Sequence, residues 1–171
     1  MPAKLEHLEC LFHAQLAEAF ASEKAHIREL ESLRDAAAAE RLRDAFSLHL
    51  EETRIHITRL ERILHRIDRP RAFCAPRAMQ ALLHESACYR SAPMEPSVRD
   101  AAIICAAQKI EHHEIATYGC LRAYAQLLGR EDAVSLLEAT LDEERYADEI
   151  LTELAEEHIN ELALAERVAL T

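Results

Sequence analysis

Four glutamates occupy positions from which their carboxylates could share one layer of a helical bundle. They are Glu23, Glu52, Glu114 and Glu144. If the chain forms two helical hairpins with turns near Ala37 and Gly129, each glutamate lies roughly 21 Å from its turn at about 1.5 Å per residue. Each also falls on the apolar stripe of its helix, the face that packs into a core. Buried carboxylates are costly unless their charge is compensated, and metal ions compensate it best.

Further polar side chains continue the same stripes and enlarge this candidate metal site. They are His49, His56, Glu111 and Asp148. The enlarged set contains six carboxylates, whose charge suits two metal ions better than one, and bridging carboxylates hold paired metals about 3.5–4 Å apart. Carboxylate and imidazole ligands favour iron or manganese. The sequence therefore predicts two metal ions, iron with manganese as the alternative, on Glu23, Glu52, His56, Glu111, Glu114, Glu144 and Asp148.

Two more side chains are predicted to support the site from its edge. We expect His49 to hydrogen-bond a ligand carboxylate, although ligand and supporting roles stay open for both His49 and His56. Tyr118 lies one turn beyond Glu114, where packing with one hydrogen bond is favoured over a redox role.

The candidate ligands depart from the usual di-metal bundle, in which two helices each supply Glu-x-x-His and the other two each supply a Glu. Here Glu52 and His56 are four residues apart, and Glu144 is followed by Asp148 with no histidine on that face. The predicted site is therefore unusually rich in oxygen ligands.

Helical periodicity predicts four long helices and one short helix between the second and third of them. Their predicted bounds are 5–33, 41–67, 77–87 (the short helix), 97–128 and 131–165. The turn near Ala37 contains neither Gly nor Pro, so a single long helix is the competing interpretation there. Residues 97–100 resemble a capping box, and Gly129 suits the position just after a helix end.

A long connection joins the two hairpins. Residues 69–96 contain four of the five prolines, whereas the other connections are short. A long crossover between two short-turn hairpins is typical of the ferritin-like four-helix bundle. We therefore predict an all-α, ferritin-like fold whose crossover contains a short extra helix.

Composition narrows the class of protein further. The 171 residues suit one domain, residues 1–171, and the low glycine count favours helices. A formal charge of −11 argues against nucleic-acid binding. No signal peptide or membrane-length apolar run is apparent, so a cytoplasmic protein is expected. The five scattered cysteines are expected to be mostly reduced core residues.

Several segments resemble the YciE/YciF family of ferritin-like bacterial stress proteins. They are residues 22–24 (SEK), 49–53 (HLEET), 99–102 (RDAA), 110–116 (IEHHEIA), 118–119 (YG) and 141–144 (LDEE) with Asp148, together with the stretch 74–79. Over about residues 8–156, the resemblance implies a ferritin-like domain, a di-metal site on the matching carboxylates and a homodimer. His56 stands where the family often has Gln. His26 has no counterpart in the family and is expected to be peripheral, and His112 and His113 are expected on the surface.

Three functional hypotheses follow. The main one is a redox-active di-iron protein whose metal pair reacts with dioxygen or peroxide in stress protection. The second is a non-enzymatic stress protein in which the metal is structural. The third is a metal-free helical interaction module.

Overall fold

The computed structural model describes residues 6–67 and 76–169, and within these ranges every regular element is helical. The elements are α1 (Leu8–Ala36), α2 (Glu40–Leu64), α3 (Arg77–Ser91), α4 (Pro96–Leu127), α5 (Glu131–Leu154), a π-helical turn (Ala155–Ile159) and α6 (Asn160–Ala169). The predicted all-α, ferritin-like bundle with a helix-containing crossover is confirmed.

The four long helices form two hairpins that pack against each other. Helix α1 lies along α2, and α4 lies along α5. Contacts between α1 and α4 and between α2 and α5 close the bundle, while the crossover helix α3 packs mainly on α4. All four long helices therefore border the bundle centre.

The first hairpin turn is held by a side chain from another helix. Ala37 is extended rather than helical, so the prediction of a turn here is correct. The buried carboxylate of Asp100 accepts hydrogen bonds from the backbone amides of Ala38 and Ala39, both at 2.8 Å. The predicted capping box at residues 97–100 is wrong because Asp100 is engaged at this turn, and α4 begins one residue earlier with Pro96.

The second hairpin turn follows the sequence prediction. Gly129 has a φ of 68°, a conformation that favours glycine. Its amide bonds the carbonyl of Gln126 at 3.1 Å, and the amide of Arg130 bonds that of Ala125 at 2.9 Å. These two bonds form a Schellman motif that ends α4.

The last predicted helix, 131–165, is not continuous. Helix α5 ends at Leu154, and a π-helical turn precedes α6. In a π turn, residues five apart share a face, so Ile159 is buried in the same apolar cluster as Leu154. Helix α3 also runs four residues beyond its predicted end at residue 87.

Two apolar clusters lie on either side of the bundle centre. The cluster near the α4–α5 turn includes Phe12 and Leu16, and the cluster near the α1–α2 turn includes Leu30 and Leu33. All four of these α1 residues are 0% exposed. The α1 stripe between them carries Glu23, so a polar layer is enclosed by apolar packing along the bundle.

The cysteines differ from expectation. Cys88, Cys105 and Cys120 are exposed and Cys10 is half-buried, and all four are free thiols. The expectation that most cysteines are core residues is therefore wrong for these positions, and Cys74 lies outside the described residues. Within residues 6–67 and 76–169, no helix combines the length and apolarity needed to cross a membrane.

Candidate metal centre

The polar layer at the bundle centre is a compact cluster of carboxylates and imidazoles. Its members are Glu23, His26, His49, His56, Glu111, Glu114 and Glu144, none of them more than 4% exposed. Helices α1, α2, α4 and α5 all contribute. Four carboxylates and three imidazoles thus share an enclosed site in which water contributes little screening.

The possible ligand atoms fall into groups that share members. Those of Glu23, His56 and Glu144 lie within 4.8 Å of one another, as do those of His49, Glu111, Glu114 and Glu144. A third group combines His26, His49 and Glu111. Glu144 belongs to both of the first two groups, so its carboxylate is placed to bridge two positions.

His56 faces the cluster with one ring nitrogen and a supporting carboxylate with the other. Its Nδ1 lies 3.1 Å from a Glu144 oxygen and 3.6 Å from a Glu23 oxygen. Its Nε2 lies 2.9 Å from Glu143. The guanidinium of Arg59 in turn holds both oxygens of Glu143, one of them at 2.9 Å. A carboxylate that receives the outer N–H fixes the ring and its tautomer, as it does for metal-binding histidines.

His49 shows the same arrangement with the nitrogens exchanged. Its Nε2 lies 3.1 Å from Glu111 and 3.4 Å from Glu144, whereas its Nδ1 lies 3.3 Å from Glu52. The Glu52 side chain is 19% exposed and stands at the edge of the cluster. The structure therefore reverses the predicted placement, since His49 faces the centre and Glu52 lies behind it.

His26 is fully buried, so the expectation that it is peripheral is wrong. Its Nδ1 lies 2.9 Å from a Glu114 oxygen, and its Nε2 lies 3.9 Å from a Glu111 oxygen. The sequence contained the necessary signal, because a residue three positions after Glu23 shares its helical face.

The remaining predicted residues lie at the edges of the layer. The Asp148 side chain is 20% exposed and contacts Gln108 at 3.3 Å and His112 at 3.2 Å, so it is not brought into the central groups. Tyr118 is buried and its hydroxyl donates to Glu23, the packing with one hydrogen bond expected for it. His112 is exposed as predicted, and His113 is half-buried.

The carboxylates change the protonation of the three imidazoles. Burial lowers imidazole pKa values, but here the nearby carboxylates raise them by more. Contacts with Glu143, Glu144 and Glu23 raise the pKa of His56 to about 12. Glu114 and Glu111 raise that of His26 to about 9. The pKa of His49 is also well above its usual range, despite burial, because of Glu111 and Glu52.

The pKa values of the buried carboxylates are shifted in different directions. Burial raises the pKa of Glu114 to about 6, against the opposing effect of His26, and also raises that of Glu144. For Glu111, burial is outweighed by His49 and His26, which hold its pKa at about 2. In the metal-free protein, protonated histidines therefore offset much of the carboxylate charge, and metal binding would have to displace their protons.

The donor atoms at the centre fit a metal site. Among the described residues, no hydrogen-bond partner is present for Glu23 Oε2, both oxygens of Glu111, Glu114 Oε1, both oxygens of Glu144, His49 Nε2 and His56 Nδ1. Buried polar atoms are rarely left without partners. Carboxylate oxygens and imidazole nitrogens suit iron and manganese, so these residues could hold either metal.

The long crossover and the buried carboxylate–histidine layer together define a ferritin-like bundle. Residues 7–164 match the family described as a domain of unknown function, DUF892, and the chain belongs to this family. It is similar to Protein YciF of Escherichia coli (strain K12), with 38% identity over 162 residues covering 93% of this chain and 96% of that protein. The resemblance to the YciE/YciF family is confirmed.

Two solved structures share the fold over nearly their whole length. The crystal structure of the E. coli stress protein YciF superposes with a TM-score of 0.86 at 37% identity, covering 91% of this chain and 99% of that one. YcfI, a putative structural protein from Rhodopseudomonas palustris, superposes with a TM-score of 0.84 at 30% identity, covering 89% and 97%.

Proposed function

We propose that this protein binds two metal ions, iron or alternatively manganese, in its central layer and that the pair reacts with dioxygen or peroxide in stress protection. The observation that carries the proposal is the overlap of two donor groups at Glu144, whose oxygens lack hydrogen-bond partners in the part of the chain that the structure describes. When bound, such a pair supplies electrons to a small oxidant. Membership in a family that includes a stress protein supports the protective role.

The donor groups suggest which residues would hold each of the two ions. Glu23 and His56 would hold one ion, and His49, Glu111 and Glu114 the other, with Glu144 shared between them. The apolar clusters above and below the layer exclude water along the bundle axis. Direct ligation by Glu52 and Asp148 stays a prediction, and the position of Glu52 supports a role in orienting His49.

A structural metal is the second candidate function. The feature that favours it is the burial of every donor side chain, which would let an ion tie four helices together without any reaction. The metal-free module draws support from the charge balance that the three histidines provide.

We further propose that the protein is cytoplasmic and forms a homodimer. Light scattering of the purified protein tests the dimer directly.

Iron loading followed by oxidation distinguishes these candidates. Metal-free protein is loaded anaerobically with ferrous iron, its iron content is measured, and air or peroxide is then admitted while near-ultraviolet absorption is recorded. We expect about two irons per chain, consistent with the paired site, and a new charge-transfer absorption. Glu114→Ala should lose both, whereas the exposed His112→Ala variant should keep both.

Each negative outcome selects a different alternative. Bound iron without an oxidation signal would favour the structural metal. A folded, helical protein that binds no iron or manganese would favour the metal-free module. Equal losses in Glu114→Ala and His112→Ala would contradict the assigned faces of α4.

A further inference from the structure

A cavity on the side of the bundle formed by α1 and α4 connects the surface with the central layer. Its volume is about 310 Å³. Its inner end is lined by Glu23, Glu114 and Tyr118, each at most 2% exposed. Its outer end includes the exposed residues Ala116 and Cys120. The α1–α4 cavity thus reaches two carboxylates of the candidate centre.

The lining of this cavity suits a cation that carries water. Polar groups line it, and among its described lining residues there is neither Lys nor Arg; these groups include Gln15, Glu18, Ser22, His113 and Thr117. Six waters occupy roughly 180 Å³ at about 30 Å³ each, so a hexahydrated divalent ion fits. The carboxylates would attract such an ion and concentrate it near the opening.

The inner carboxylates give a second, independent reason to expect a cation. Glu23 Oε2 and Glu114 Oε1 are buried and have no hydrogen-bond partner within residues 6–67 and 76–169. The other oxygen of Glu23 accepts from Tyr118, and the other oxygen of Glu114 lies 2.9 Å from His26 Nδ1. Each carboxylate is therefore fixed on one side and keeps one acceptor for an incoming ion.

On the opposite side of the layer, the described residues leave no comparable opening. Between α2 and α5, the gap that reaches His49 and Glu111 holds only about 10 Å³. Its border includes Leu48 and Leu151. This space is too small for an ion with its waters, so uptake through this side would require the helices to separate.

We propose that the α1–α4 cavity is the entrance through which a hydrated divalent cation reaches the central layer. The proposal rests on the proposed metal-binding function and adds the route of entry. Glu18 and the inner carboxylates attract the ion, and Glu23 and Glu114 replace its first waters.

The rate of cobalt uptake tests this route. Co²⁺ is mixed with metal-free protein in a stopped-flow instrument, and its visible absorption band is followed at low ionic strength. Glu18→Lys and Ala116→Arg, which place positive charge in the cavity, should slow uptake by about tenfold or more. The final cobalt content should stay at the wild-type level, because neither residue belongs to the central donor groups. Added salt should reduce the difference between variant and wild type.

Matched controls separate location from net charge. Glu138→Lys makes the same charge change at an exposed position on α5 and should load cobalt at the wild-type rate. Leu48→Arg places charge beside the narrow α2–α5 gap and should also be neutral. Uptake by Glu18→Lys and Ala116→Arg as fast as by Glu138→Lys, or slow uptake by Leu48→Arg alone, would overturn the proposed entrance. A wild-type protein that takes up no cobalt would contradict the proposed function and the entrance together.

Discussion

The two sides of the central layer differ in how they present the same kinds of group. On the α2–α5 side, His49 and His56 face inward and each is backed by a half-buried carboxylate, Glu52 or Glu143. The gap beside His49 is nearly closed. On the α1–α4 side, Glu23 and Glu114 border a cavity of about 310 Å³, and each has one oxygen without a hydrogen-bond partner among the described residues. One side holds its imidazoles in fixed orientations, and the other leaves two carboxylates at the inner end of a cavity.

This difference shows how a bundle can make a site both rigid and accessible. Hydrogen bonds to outer carboxylates restrict the imidazoles, so the α2–α5 side needs no space around them. On the α1–α4 side, Tyr118 and His26 hold the carboxylates of Glu23 and Glu114 from inside the bundle. The space on their outer side is therefore left open as the cavity. Glu144 lies between the two sides and belongs to both main donor groups.

The largest effect is expected from changing the residue common to both groups. Glu144→Gln should lose the paired site and with it the thermal stabilisation by metal, which amounts to about 2.7 kcal/mol per site at a free metal concentration of 100 Kd. The metal-free variant should melt close to wild type, because the raised pKa of Glu144 favours its neutral form, which Gln resembles. Calorimetry with and without metal measures both effects. Metal stabilisation equal to that of the wild type would exclude Glu144 as the shared ligand.

Loss of the outer partner of His56 should weaken one half of the site. Glu143→Gln removes the charge that orients the His56 ring, and such changes typically lower metal affinity about 10–100-fold. Competition with a calibrated chelator measures the affinity. Glu138→Gln, on the exposed surface of the same helix, is the matched control and should be neutral. Equal affinities in the two variants would contradict the role of the Glu143 charge in orienting His56 for metal binding.

Because side chains of the layer bind protons, the stability of the metal-free protein and its affinity for metal should change with pH in opposite directions. The pKa of His26 is about 9 when folded and 6.5 in its usual state. The folded protein therefore binds this proton more tightly, and the stability it contributes is complete below pH 6.5 and is lost as the pH rises through about 9. Metal affinity should instead rise over this window as protons leave the ligands.

Thermal unfolding of the metal-free protein between pH 6.5 and 9 measures the first response, and chelator competition over the same range measures the second. His26→Gln should make the stability profile of the metal-free protein shallower, while His49 and His56, whose pKa values are also raised, supply the slope that remains. A profile that keeps its slope in this variant would assign the titration to another group.

The smallest effect is expected at the hydrogen bond on the cavity side. Tyr118→Phe removes the hydroxyl that donates to Glu23, and a typical side-chain hydrogen bond contributes about 0.5–1.5 kcal/mol. Because a bound metal would give Glu23 another partner, the substitution should lower the free energy of unfolding less in the metal-loaded protein than in the metal-free protein. Chemical denaturation of both states tests this. An equal cost in both would place Glu23 outside the metal site.

Helical periodicity and the glycine of the second turn are local signals, and they were enough to predict the four long helices. The stripes also placed Glu23, Glu111, Glu114 and Glu144 in the buried layer. Membership of the layer follows from the apolar stripe, because a residue that continues this stripe is carried into the core whatever its own polarity.

Local sequence patterns do not predict how each helix is rotated or which residues of different helices are in contact. His49 and Glu52 are three residues apart, which separates their directions by only about 60° at 100° per residue. Small rotations set by packing therefore decide which of them faces the centre. The contacts of Glu143 with His56 and of Asp100 with the first turn join residues distant in sequence, and helical periodicity carries no signal for them.

Anomalous scattering from crystals of protein reconstituted with iron or manganese tests the central claim most directly. The structure predicts two metal peaks in each chain, about 3.5–4 Å apart. One should lie at Glu23 and His56, the other at His49 and Glu111, with Glu144 in contact with both. A well-ordered bundle without metal peaks in this layer, or with peaks only at surface residues, would contradict the claim that this layer is a two-metal centre.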